Sequence, residues 1–134
     1  MTPAGRAAAS WLGGTALALA VVGGLGALPT ARLGGPGGWT AMAAGCAVAF
    51  AGAALGAAPV LLALARGPIE RPQTVAARSM ALRAAGALAG TLVVALGTGV
   101  ARLPFLIWVG VAYGALLVVE TRWLVRWIHA GGTR

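Results

Sequence analysis

Negative charge is nearly missing from these 134 residues: two acids, Glu70 and Glu120, stand against ten basic residues, and charged residues make up 9% of the chain. A soluble domain needs a polar exterior, and 60% hydrophobic residues with a mean hydropathy of +0.90 leave too little polar surface to build one. Lysine is absent, so arginine carries the whole net charge of +8. The arginines punctuate apolar stretches instead of clustering on a soluble module, which argues against nucleic acid and for membrane lipids as partners. The one cysteine, Cys46, cannot form an intramolecular disulfide, and in an apolar run it reads as a small hydrophobe at a helix contact. The one histidine, His129, could ligate a metal or haem only with help from another chain. GxSxG, P-loop, HExxH and CxxC motifs are missing, as are paired carboxylates, and neither Ser10 nor Ser79 has a neighbouring histidine or lysine to activate it. These absences predict a protein that is not an enzyme, with no catalytic residue, cofactor or metal site.

What is present is a series of apolar runs near the ~20 residues that cross a bilayer as helix. They predict one all-α membrane domain over 1–134, with four transmembrane helices at 10–28, 39–65, 80–100 and 104–120 arranged as two antiparallel hairpins. A signal peptide competes for the first run, but its apolar length exceeds the usual ~7–15 residues and Pro29-Thr30-Ala31 is a poor cleavage site, so retention is expected. Leu33-Gly34-Gly35-Pro36-Gly37-Gly38 makes the first turn, Trp39 suits an interfacial anchor, and Pro59 predicts a kink late in the second span. A basic loop at 66–78 separates the hairpins, and Ala101-Arg102-Leu103 alone joins the last two spans. Pro104 suits a first helical turn.

Arginine counting sets the orientation, because basic residues translocate poorly. Arg6, Arg66, Arg71, Arg78, Arg83, Arg122, Arg126 and Arg134 collect on one side, and Arg32 and Arg102 on the other. Both termini are therefore expected on the cytoplasmic side of the membrane.

Helices in lipid associate through close packing and polar contacts, since lipid is as apolar as leucine. Gly52-x-x-x-Gly56, Gly86-x-x-x-Gly90 and Gly110-x-x-x-Gly114 put one candidate helix contact in each of the last three spans, within one chain or in a homo-oligomer. Arg83 lies 19 positions before Arg102 and Glu120 lies 18 after it, so an antiparallel hairpin brings them to one depth, where they could pair. The alternative is that both snorkel to headgroups and water. Arg122, Trp123, Arg126 and Trp127, in an amphipathic extension at 121–129, read as interfacial anchors, with a docking helix for a partner protein as the alternative.

The stretch from Trp39 to Ile128 resembles the ATP synthase protein I family, small four-span proteins often encoded beside the bacterial F-type ATP synthase. The resemblance rests on a small-residue second span, the basic central loop, and Ala81-Leu82-Arg83-Ala84-Ala85-Gly86 opening the third span. It continues through Leu103-Pro104-Phe105-Leu106-Ile107-Trp108 and a last span running from Tyr113 to Trp123. It implies a non-enzymatic factor that assembles or stabilises the ATP synthase rotor ring, with c subunits as partners and Mg²⁺ supply also proposed for the family. Arg83 matches the basic residue early in the third span. Some relatives carry an acid beside it and this chain has none, a departure that weakens the Mg²⁺ version more than the assembly version. The rival expectation is an oligomeric transporter or channel subunit for a small ion, Mg²⁺ or H⁺, with repeated Glu120 and Arg83 along its path.

Overall fold

The computed structural model describes residues 2–67 and 69–132; Pro68 of the central loop and Arg134 of the orientation count lie outside them. Four long helices account for most of the chain: α1 (Pro3–Leu33), α2 (Gly38–Arg66), α3 (Pro72–Gly97) and α4 (Arg102–Gly132). All four are long and apolar enough to cross a membrane, and no strand occurs among the described residues. The chain is an all-α, multi-pass membrane protein.

Local chemistry sets the helix ends. Thr2 caps α1, its hydroxyl accepting from the Gly5 amide at 3.1 Å, and the proline that follows occupies the first turn, where a missing N–H costs nothing. The chain reverses after α1 through a single 3₁₀ turn at Gly35–Gly37, with Gly35 at φ +59°, a conformation that glycine adopts without strain. Pro72 opens α3, so the helix begins inside the stretch expected to be loop, and the break between α2 and α3 is much shorter than 66–78. At the other end α3 stops at Gly97, before the expected position 100, and α4 starts at Arg102 with Pro104 in its first turn. α2 continues through Pro59 to Arg66. With 31 residues each, α1 and α4 are about 46 Å long at the usual helical rise and overreach a ~30 Å hydrocarbon layer.

Successive helices run antiparallel, but the packing does not divide evenly into two hairpins. α2 packs most extensively, against α3 on one side and α4 on the other, while α3 and α4 touch each other over a short stretch only. α1 closes the bundle against α2 and α4. This central place explains the composition of α2. Gly45, Ala49, Ala53 and Ala57 recur every four residues and are buried, forming a smooth stripe against which α4 seats Ala112 and Leu116. Gly52 and Gly56 lie on the neighbouring flank against Ala87, Arg83 and Ser79 of α3. Trp108 of α4 is wedged between α1 and α2: its ring tip rests on Gly26 and its backbone on Gly45.

The hydroxyls of Thr15 and Thr91 are satisfied within their own helices. Thr15 bonds the carbonyls of Trp11 (2.9 Å) and Leu12 (3.1 Å), and Thr91 bonds that of Ala87 at 2.7 Å. Where water is absent, such back-bonding removes the cost of an unpaired hydroxyl.

Candidate functional site

The only acid–base pair among the described residues sits where α1, α3 and α4 converge. Arg83 is 4% exposed and Glu120 8%, so neither snorkels, and the Arg83 Nη1 donates to Glu120 Oε2 in an ion pair. The other carboxylate oxygen, Oε1, accepts from the indole Nε1 of Trp11 at 2.9 Å. Nη2 of Arg83 donates to the Tyr113 carbonyl at 3.1 Å, and its guanidinium carbon stands 4.7 Å from the centre of the Tyr113 ring. A buried charge pair persists when most of its remaining donors and acceptors are also used, and here Trp11 of α1 and the Tyr113 carbonyl of α4 each supply one such partner. Nε of Arg83 has no partner among the described residues.

Two features bring Arg83 this close. Gly56 of α2 has no side chain to hold α3 away: a Cβ placed there would lie 2.9 Å from Arg83 Cβ. Ser79, one turn earlier in α3, donates its hydroxyl to the Gly56 carbonyl at 2.5 Å. A cavity of about 20 Å³ beside the pair is lined in part by Ala57, Ser79 and Thr121, room for one water molecule.

The expected helix-contact glycines divide. Gly52, Gly56, Gly86 and Gly90 all meet a neighbouring helix, through Ala87, Arg83, Leu55 and Val48 respectively. Gly110 and Gly114 do not: both are exposed, and a Cβ added at either would meet nothing within 4 Å. They belong to the outward face of α4, because the face turned inward is taken by Phe105, Ala112 and Leu116.

The four expected anchors divide as well. Arg122 and Arg126 are exposed, but Trp123 is buried and donates to the Ala7 carbonyl and the Ser10 hydroxyl, each at 3.1 Å. It is a helix contact between α4 and α1 in place of a lipid anchor, because α1 extends to Pro3 and covers it. Trp127 is half-buried and donates to the same Ser10 hydroxyl at 3.1 Å. Trp123→Phe keeps an aromatic ring but removes both donations and the buried volume of the pyrrole half, so unfolding in mixed micelles should show a loss of at least about 1 kcal/mol. An unchanged midpoint would mean that the indole, its N–H included, contributes nothing to the α1–α4 contact.

Trp11, Tyr113, Ser10 and Gly45 are the members of this site and its supports that sequence reasoning passed over. Trp11 and Ser10 lie one beside the other near the start of α1, at the end of the bundle where Glu120 sits, and a tryptophan and a serine inside an apolar run mark hydrogen-bonding capacity that lipid cannot satisfy. The bundle end beyond the site gathers Arg6, Arg66, Arg71, Arg78, Arg122 and Arg126, since α1 and α3 start there and α2 and α4 finish there. Cys46 is partly buried against the core, and no group of three or more His, Cys, Asp and Glu side chains forms among the described residues.

Fold and site together define a small multi-pass helical membrane protein built around one internal charge pair. No family model, curated protein or solved structure matches the chain.

Proposed function

We propose that the chain is a non-enzymatic assembly or stability factor for the F-type ATP synthase of a bacterial inner membrane, with both termini cytoplasmic, acting on the c subunits through helix packing. The observation that carries the docking role is the outward Gly110-x-x-x-Gly114 face of α4. A Cβ added at either glycine would meet nothing within 4 Å among the described residues, and flanking Ile107, Val111 and Val118 are about half exposed. A small-residue groove with apolar walls is the surface on which a second helix approaches closely in lipid. The identity of the partner rests on the resemblance of residues 39–128 to ATP synthase protein I, and the cytoplasmic assignment on the arginine-rich bundle end.

The geometry weighs against the rival ion path. Arg83 and Glu120 are turned into the bundle and bonded to each other, so oligomerisation through an outer face would not align them along a conduit. One carboxylate already holding an arginine and an indole also makes a poor cation site.

The test is Gly110→Leu with Gly114→Leu. Because both positions are open, the variant should fold with stability within about 1 kcal/mol of the parent. Cells carrying it should yield several-fold less ATP synthase with a complete c ring, as should deletion of the gene. Fully assembled enzyme at normal yield in the deletion strain would sink the ATP synthase reading. A defect on deletion that the folded double variant does not share would sink the α4 docking face.

A further inference from the structure

We propose that the groove between the C-terminal end of α2 and the N-terminal end of α3 is a binding site for one anionic phospholipid. It stands independently of the ATP synthase reading, because it uses another face of the bundle. The groove has a volume of about 740 Å³, within the range of sites that hold a small ligand or a lipid headgroup with part of its chains.

Its floor and rim differ in chemistry in the way a phospholipid does. Leu62 and Ala63 of α2 and Ala81 and Leu82 of α3 make an apolar lower part, continuous with helix surface that lies within the membrane span. Arg66, Arg71 and Arg78 line the upper part, at the bundle end where the headgroups of the bilayer lie. All three are exposed and none makes a side-chain hydrogen bond or ion pair among the described residues. Glu70, also on the lining, offsets one charge, leaving the rim with an excess of two positive charges. α3 adds to this field: it begins at Pro72 with no side-chain cap and no acid in its first turn, so its positive end is open beside Arg71.

Positive charge above an apolar slot selects against the alternatives. A zwitterionic lipid brings a cation into the same rim, a free phosphate leaves the slot unfilled, and an acidic protein segment would have to bury its backbone against Leu62 and Leu82. A guanidinium is suited to bidentate phosphate contact, and three on one rim can hold a phosphodiester from more than one side.

Native mass spectrometry of the purified full chain in detergent, titrated with phosphatidylglycerol or with phosphatidylcholine of the same acyl chains, tests the site. Phosphatidylglycerol should be retained about tenfold more tightly. In R66Q/R71Q/R78Q this preference should fall to about twofold or less, whereas R122Q/R126Q, which removes two exposed arginines from the same bundle end, should keep it. Filling the slot with Ala81→Phe should lower retention of phosphatidylglycerol with all arginines in place. Unchanged circular dichroism and gel-filtration position keep each variant interpretable, and these substitutions are at exposed positions. Equal loss in both arginine sets overturns the site in favour of diffuse charge. Full displacement of the lipid by an equal concentration of inorganic phosphate overturns it in favour of a free-anion pocket, and displacement by a hexaglutamate peptide in favour of a protein segment.

Discussion

Replacing Arg83 with alanine while Glu120 remains is expected to destabilise the bundle by about 3–5 kcal/mol, the cost of leaving one member of a buried pair without its partner. The carboxylate would keep only the Trp11 indole, and no other basic residue comes near it among the described residues. Glu120→Gln should cost less than Glu120→Ala, because the amide oxygen can still accept from Trp11 while the Arg83 guanidinium retains the Tyr113 carbonyl and ring. Combining Arg83→Met with Glu120→Gln removes both charges and keeps an acceptor for the indole. This double variant should recover most of the loss, since neutral replacements of a buried pair are often tolerated. Equilibrium unfolding in mixed micelles of both single variants and the double should therefore give a coupling of about 2 kcal/mol or more in the cycle. Strict additivity would show that the two side chains reach headgroups separately and that their pairing contributes nothing.

How visible this site is in the sequence depends on which helix each part comes from. Arg83 and Glu120 meet across a connection of a few residues, so counting along two helices at a fixed rise brings them level. Trp11 reaches Glu120 from 109 positions away, and no counting rule spans the unknown packing of α1. The same gap misplaces Trp123. An Arg-Trp-x-x-Arg-Trp pattern suits a headgroup belt equally well when one tryptophan is covered, and what covers Trp123 is Ala7, which precedes the expected span, and Ser10 at its first position. Hydropathy locates the part of a helix that faces lipid and says little about its polar ends, which is why Pro72 and the turn after it looked like loop. The GxxxG pattern carries a related ambiguity: it marks a face on which a helix can approach closely without saying whether that face turns inward, as at Gly52 and Gly56, or outward, as at Gly110 and Gly114.

Substitution of Gly45 by valine should be strongly damaging, because a Cβ there would stand 2.8 Å from Trp108 Cβ and 2.9 Å from the Val109 backbone nitrogen. A backbone atom of a packed helix cannot rotate away, so α4 must shift bodily, and it also carries Glu120 and Trp123. About 3 kcal/mol is expected, the upper end for an overpacked core. Gly56→Val should come close to it by a different route, pushing on Arg83 Cβ and on the Ser79 carbonyl at 3.2 Å, and so loosening the ion pair along with the α2–α3 contact. Gly86→Val should be milder, since its near neighbour is the terminal methyl of Leu55, which has other rotamers and is about half exposed. Gly110→Val, with open space around it, should change stability by less than about 0.5 kcal/mol. This ranking, measured as unfolding midpoints of the four variants in one micelle composition, separates glycines by what faces them. If Gly45→Val proved as stable as Gly110→Val, α2 would not lie against the backbone of α4. The placing of Glu120 beside Arg83 would then lose its support, because α4 would no longer be held close enough to α2 for its carboxylate to reach the guanidinium on α3.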